Sequence, residues 1–497
     1  MRRALSRNVA ASVGNAAAVT ATSLVTVPLI LDAVGTAGYG VWTLGLALVL
    51  WASILETGLG PAIQRFTAHA RGAGDERRFG RLLWTTLALY ATGGLLFGAI
   101  LALLAPAIVD LFDLPLRLRE DAGDMFRLLG GALALALLAA GAGNLLQGTE
   151  RFGMLAISAA AGALTFLAGV AVLAGPEGLP GLAIAMIAGQ AVTLLVRLGG
   201  LRVHIAAARP GLLGRAELRR LVAFSARLQV TVFSELINWQ SDKVVVGLVA
   251  PARTLGQLGI GAQFADAGRL LAGAALSPVH STLALAAGSG DEPELRRRFT
   301  ELHRLWVLGV LGAGVIGAAS LQPLIAGWLG PGYREAAVLG AFLVLGSAAG
   351  LTTGTGVAYM RAIGQPGLEA RMGPLIVAAN LALTIPLALA AGARGVVIGT
   401  LGAYVIGATW FFSRLRHHIP ASPVSGPREA ATAVALALAA AALSRAIGEA
   451  AVALLPTGVA LVAVAFGLGL ALVLYALGVL GVRPTRQSLQ TVRRAFG

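Results

Sequence analysis

The chain has 497 residues, of which 57 % are apolar and 12 % charged, against about 25 % charged in an ordinary soluble domain. That excludes a water-soluble globular fold, and the absence of cysteine excludes disulfides, a lipid-modified cysteine and thiolate metal sites. The formal charge of +15 does not point to nucleic acid, because a binder of that kind concentrates its arginines on a polar domain, whereas here they sit in short loops between apolar runs.

Met1-Arg2-Arg3 and Arg7 precede an apolar run from Asn8 to Val34. The run exceeds the roughly 7 to 15 residues of a signal-peptide core and flows into a second run, so it is read as a retained first helix. Polar residues, glycine and proline then cut the chain into fourteen predicted spans: 8 to 32, 39 to 60, 82 to 109, 125 to 147, 153 to 174, 179 to 200, 222 to 249, 256 to 286, 305 to 327, 335 to 360, 374 to 391, 395 to 413, 429 to 449 and 457 to 481. Most reach the 20 or so residues that carry a helix across hydrocarbon. Lipid tolerates no unpaired backbone, so the expected fold is an all-α polytopic membrane protein.

Basic residues orient it. Twenty-eight of the 38 fall in alternate gaps between spans, beginning with the N-terminus, while the intervening gaps hold five: Arg117, Arg119, Arg253, Arg334 and Arg394. Retained loops keep their arginines, so both termini are expected on the cytoplasmic side of a bacterial inner membrane, with the basic loops attracting anionic membrane lipid.

Landmarks recur along the chain. Pro61 and Pro278, Arg81 and Arg298, Pro106 and Pro323, Gly175 and Gly392, and Arg197 and Arg414 are each 217 residues apart. This predicts a duplication with six spans per copy, an even number, so that the copies enter the membrane the same way up, as in transporters with a substrate site between two halves. The expected organisation is an N-terminal six-helix lobe (1–204), a cytoplasmic basic linker (205–221), a C-terminal six-helix lobe (222–417), and helices 13 and 14 with a basic cytoplasmic tail (418–497).

The seventh span holds the densest polar content. At 100° per residue, Arg227, Thr231, Ser234, Glu235, Asn238, Ser241 and Asp242 fall within about 120° of arc, which predicts one wet face. Lys243 points away from it. The eighth span adds Gln263, Asp266 and Arg269 at three-residue intervals, so its Asp and Arg are near enough to pair. Counted from the span ends, Glu235, Asp266 and Arg269 lie near mid-membrane, where a charge costs about 2.5 to 3.5 kcal/mol on insertion scales and marks either function or a structural ion pair. Asn8, Ser12, Asn15, Thr22 and Thr26 form a polar stripe on the first span. Glu56 stands near the inner end of the second, either binding a cation or sitting in wet headgroups.

Other chemistry is missing. No GxxxxGK[ST] motif encodes an ATP motor, no HExxH spacing holds a metal, no DxD pair suggests a sugar transferase, and no loop exceeds about 20 residues. An enzyme is therefore not expected.

Four stretches carry a resemblance: Pro28-Leu29-Ile30 leading into residues 31–40 with Gly35 and Gly38; Leu55-Glu56-Thr57-Gly58-Leu59-Gly60 running to Gln64-Arg65-Phe66; Gln147-Gly148-Thr149-Glu150-Arg151-Phe152; and Asp242-Lys243-Val244-Val245-Val246-Gly247 followed by Leu255-Gly256. In their order they resemble the polysaccharide transporter (Wzx-type O-antigen and oligosaccharide flippase) family of the multidrug/oligosaccharidyl-lipid/polysaccharide exporter superfamily. The resemblance implies a MATE-like fold with two lobes around a central cavity, alternating access, and a lipid-linked oligosaccharide as cargo. It implies no cofactor beyond Na+ or H+ as coupling ion, with a polysaccharide polymerase and a chain-length regulator as partners. On that reading Arg269, Arg227, Asn238, Gln263 and Asn15 are candidates for substrate contact, and Glu235, Asp242, Asp266 and Glu56 for ion coupling. A cation-coupled drug or metabolite antiporter and a lipid II flippase are the competing readings, with a membrane glycan polymerase behind them.

Overall fold

The computed structural model describes residues 2–52, 54–112, 114–419 and 427–481, with side chains except those of 2–21, 23, 54, 55, 57, 224, 226–233, 235, 277 and 427. The regular structure among them is helical: α1 (Arg2–Ala52), α2 (Ile54–Gly72), α3 (Glu76–Leu111), α4 (Leu116–Gly148), α5 (Phe152–Ala207), α6 (Arg215–Val249), α7 (Ala252–Gly288), α8 (Glu292–Leu329), α9 (Arg334–Leu351), α10 (Gly354–Ala362), α11 (Gly367–Leu415), α12 (Pro427–Leu454) and α13 (Val459–Gly481), with a 3-10 turn at Pro331–Tyr333. Among the described residues, ten stretches are long and apolar enough to cross a membrane, and the chain is an integral membrane protein.

Two of those stretches are too long for one crossing. A straight helix of 56 residues, the length of α5, would run about 84 Å, well over twice the roughly 30 Å of hydrocarbon. Instead the backbone breaks at Gly178 (φ 60°, ψ −132°), and α11 breaks likewise at Gly392 (φ 57°, ψ −138°). Only glycine adopts this region without steric cost. A third break, at Gly35 (φ 67°), divides α1. All three fall between predicted spans, while the predicted second span is divided between α1 and α2 and the tenth between α9 and α10.

The duplication is visible in local conformation. Gly178 and Gly392, 214 residues apart, share one unusual backbone state, which moves the partner of Gly392 from the expected Gly175 to Gly178. Gly74 (φ 68°) and Gly290 (φ 73°), 216 apart, each precede an aspartate that caps a helix. Asp75 accepts from the Arg78 amide at 2.9 Å, and Asp291 from the Glu294 amide at 3.0 Å. Two six-helix repeats are thus followed by α12 and α13.

Residues cluster into two compact units, Ala21–Gly256, and Gln257–Gly497 with Met1–Thr20. In the first, α4 packs against α2, α3 and α5. Its Met125, Phe126, Leu129 and Leu133 are fully buried, and Gly130 meets Gly98 of α3 backbone to backbone, the close approach that small residues permit. Leu95, Leu103, Leu164 and Val172 remain exposed, as a lipid-facing surface requires. In the second unit, α8 packs against α9, α12 and α13. There the Tyr475 hydroxyl donates to the Leu308 carbonyl at 2.8 Å, its ring fitting over Gly312, and Ser320 and Ser444 share a hydrogen bond of 2.7 Å.

Candidate functional site

Glu56, Gly60 and Gln64 recur every four residues on α2, so they share one helix face. That face meets Asn144 of α4. Gln64 Nε2 donates to Asn144 Oδ1 at 2.9 Å, and Asn144 Nδ2 donates to Glu56 Oε1 at 3.3 Å and to the Tyr90 hydroxyl at 3.1 Å. Asn144 and Tyr90 are buried. Gly60 leaves room for the group, since a Cβ there would stand 3.1 Å from Glu56 Oε1.

Arg197, on the second half of α5, joins the same unit. Its Nε donates to Ser158 Oγ at 3.1 Å and its Nη1 to the Ala139 carbonyl at 2.8 Å. The guanidinium lies over Gly143, where a Cβ would come 2.8 Å from Nη1. It is within Coulombic range of Glu56, but among the described contacts the two charges form no ion pair. An arginine that the sequence placed with the inner-loop charges therefore turns into the bundle.

The described side chains of the polar stripe on α6 are buried, not wet: Ser234, Asn238, Ser241 and Asp242 are each 4 to 5 % exposed. Asn238 Oδ1 and Ser241 Oγ are buried without a hydrogen-bond partner. Buried polar atoms rarely stay unpaired, so water or a ligand is the physical expectation there. Lys243 stands off the stripe as expected, its Nζ donating to Gln240 Oε1 at 3.0 Å. The side chains of Arg227 and Glu235 on this helix, and of Asn15 on α1, lie outside the described ones.

On α7, Gln263, Asp266 and Arg269 are half-buried. Arg269 Nε donates to Ser347 Oγ of α9 at 2.8 Å, and its guanidinium carbon lies 5.5 Å from the ring centroid of Tyr404 on α11. Tyr404 in turn packs over Gly346 and Gly350 of α9. A guanidinium that bonds a serine and stacks on a tyrosine ring is a planar fork of donors of the kind that phosphate or carboxylate accepts from.

Sequence reasoning singled out Glu56, Asn238, Asp242, Gln263, Asp266 and Arg269 by their polarity inside apolar spans. It did not single out their neighbours Asn144, Tyr90, Gln64, Arg197, Ser347 and Tyr404. Gln64 alone had a signal, the four-residue spacing from Glu56 and Gly60; the others matter only through partners remote in sequence. Among the described residues no three His, Asp or Glu side chains are grouped to hold a metal ion.

Comparison with known proteins places these features in context. A family model described as polysaccharide biosynthesis protein matches residues 5–282. Among solved structures, an inward-closed lipid II flippase MurJ aligns at 13 % identity and TM-score 0.70, covering 94 % of this chain and 98 % of that one. An inward-facing multidrug resistance MATE family transporter of the MOP superfamily aligns at 15 % identity and TM-score 0.67, over 80 % and 94 % of the two chains. A Vibrio cholerae MATE transporter aligns at 14 % identity and TM-score 0.60, over 84 % and 96 %. No curated relative matches. At these identities the structures share the fold.

Proposed function

This chain belongs to the polysaccharide biosynthesis protein family, and from that premise we propose that it is a flippase carrying a polyprenyl-pyrophosphate-linked oligosaccharide, an O-antigen, capsule or exopolysaccharide repeat unit, across the inner membrane. The six-helix lobes 1–204 and 222–417 alternate access to the headgroup while the polyprenyl tail stays in lipid. Polymerase and chain-length regulator then act on the delivered unit.

The observation that carries this reading is Arg269. A guanidinium inside an apolar helix, held by Ser347 and stacked on Tyr404, is an anion contact prepared in a place where an isolated charge is costly. A pyrophosphate cannot cross hydrocarbon unescorted, and this group meets its geometry. Asn238 and Gln263 supply sugar-binding polarity, with Arg227 and Asn15 as further contacts; Glu235, Asp242, Asp266 and Glu56 take the coupling ion, Na+ or H+.

In the native host, Arg269→Ala is expected to insert at the normal level and to abolish surface glycan. Normal glycan output from that variant would remove Arg269 from the mechanism. Purified protein in vesicles translocating a labelled lipid-linked oligosaccharide is the direct test. The MATE-like fold favours a second reading, a cation-coupled antiporter, which counterflow of a soluble organic cation without any lipid-linked sugar would establish. A lipid II flippase would instead lyse its host on depletion.

A further inference from the structure

We propose that Trp306 is a positioning residue for the Arg269 anion site, acting through a break in the helix that carries Ser347. The inference rests on the reading of Arg269 above only for the word anion. The break and the clamp upon it lie within the second compact unit.

The predicted tenth span is one apolar run, yet its helix stops at Leu351 and resumes at Gly354. Between them the ladder of backbone hydrogen bonds loses its register. The Thr352 amide is shared between the Ala348 and Ala349 carbonyls at 3.2 and 3.3 Å, and the Thr353 amide reaches back only three residues, to the Gly350 carbonyl at 3.2 Å. Thr352 and Thr353 also donate their hydroxyls to the carbonyls of Ala349 and Gly350, at 2.6 and 2.8 Å. A 3-10 stretch inside an α-helix has poorer hydrogen bonds than the turns around it, and such a break is typical where a side chain enters the ladder. Here that side chain is Trp306 of α8, whose indole Nε1 donates to the Leu351 carbonyl at 2.7 Å. Gly354 leaves the ring its place, because a Cβ there would stand 3.4 Å from Nε1 and 2.8 Å from Leu276. One turn earlier on α8, His303 Nδ1 shares a 2.7 Å hydrogen bond with the Thr355 hydroxyl, so α8 grips the chain on both sides of the break.

What the clamp holds is the last turn of α9, and that turn carries the supports of Arg269. Helix geometry gives the Leu351 amide to the Ser347 carbonyl, one turn back. Leu351 is thus tied to Trp306 by its carbonyl and to Ser347 by its amide, and the Ser347 hydroxyl accepts from Arg269 Nε at 2.8 Å. Tyr404, whose ring lies against the guanidinium, packs over Gly346 and Gly350 of the same turn. Ser347 and Tyr404 therefore both lean on a helix end that α10 does not continue.

The fold itself does not require this break. Counting back 216 residues, the spacing of Gly74 and Gly290, sets Leu351 on Leu135, Trp306 on Tyr90 and Ser347 on Gly131. There α4 runs unbroken from Leu116 to Gly148, and the Tyr90 hydroxyl accepts from the Asn144 side chain. The repeat without a serine at this place has neither the break nor an indole to hold it.

The test installs 3-benzothienylalanine at position 306 of the full-length protein in lipid nanodiscs; this residue keeps the shape of the indole and puts sulfur where the N–H stands. Should that protein not accumulate, Trp306→Phe serves the same purpose. Hydrogen-exchange mass spectrometry reads the helix end. Peptides covering residues 345–353 should exchange roughly 2- to 10-fold faster, the effect of one lost hydrogen bond, while those from α8 and α11 keep their rates. Binding of inorganic pyrophosphate reads the site. Its affinity should fall by a similar factor, and in a Ser347→Ala background the same replacement should cause no further loss, because both changes act on one group. Unchanged exchange at the helix end, faster exchange spread through α8 and α11, or losses that add independently with Ser347→Ala would overturn the proposal. Wild-type protein that binds no pyrophosphate would instead count against the anion reading of Arg269, and the exchange result would then decide by itself whether Trp306 holds the turn that carries Ser347.

Discussion

Gly60 faces Asn144 so closely that a Cβ on the glycine would stand 3.1 Å from both Nδ2 and Oδ1 of the amide. The amide cannot retreat freely, because Gln64, Glu56 and Tyr90 all bond to it. Gly60→Ala is therefore expected to lower stability by about 1 to 3 kcal/mol, the usual range for overpacking, and to reduce glycan export beyond what the lost protein explains. Thermal unfolding in detergent together with surface glycan per inserted molecule checks both halves, and wild-type values for both would mean that the amide shifts at no cost.

Tyr404 presents its π face to Arg269. A cation–π contact is worth about 0.5 to 2 kcal/mol. Tyr404→Phe should then keep most of the transport rate, while Tyr404→Leu should lower it roughly 2- to 30-fold. Equal rates in the two variants would show that the ring does not hold the guanidinium.

The breaks at Gly178 and Gly392 share one backbone state, so alanine at either is expected to be destabilising by a similar amount, about 1 to 3 kcal/mol. No side-chain clash is expected at Gly392, where nothing lies within 4 Å of a Cβ, so the penalty there is conformational. Unfolding midpoints of Gly178→Ala and Gly392→Ala measure it; an unaffected Gly392→Ala would mean that the turn relaxes.

The segment joining the repeats is tied to α3 by two kinds of contact. Thr85 Oγ1 accepts from the buried Leu213 amide at 2.8 Å, and Arg78 pairs with Glu217 at 3.2 Å, both side chains partly exposed. Leaving a buried amide unsatisfied costs about 1 to 3 kcal/mol, whereas a solvated ion pair contributes about 0 to 1 kcal/mol. Thr85→Val should therefore destabilise more than Glu217→Gln. The opposite order in urea titrations would place the tether in the charges.

Without cysteine, the chain offers a clean background for labelling. Gly332→Cys, in the exposed turn before α9, should react with a membrane-impermeant maleimide on intact cells. Ser289→Cys, in the exposed turn before α8, should react only after the cells are opened. The reverse pattern would invert the topology read from the arginines.

Membrane residence, the spans, the three interrupted helices and the duplication were legible in the residues themselves. Each depends on short-range physics: hydrophobic length decides what crosses, and a glycine in a left-handed state decides where a helix stops. The same locality exposed Asp266 and Arg269, three residues apart on one helix. What holds Glu56 depended on tertiary structure, because Asn144 lies 88 residues from it, and 54 and 80 from Tyr90 and Gln64. Arg197 shows the limit most clearly. Three residues before a predicted span end, it counted as a loop charge, and only the packing of α4 against α5, with Gly143 making space, turned its guanidinium inward to the Ala139 carbonyl. Hydropathy reports how a residue partitions; which partner its side chain meets is decided by helices that the chain brings together from far apart.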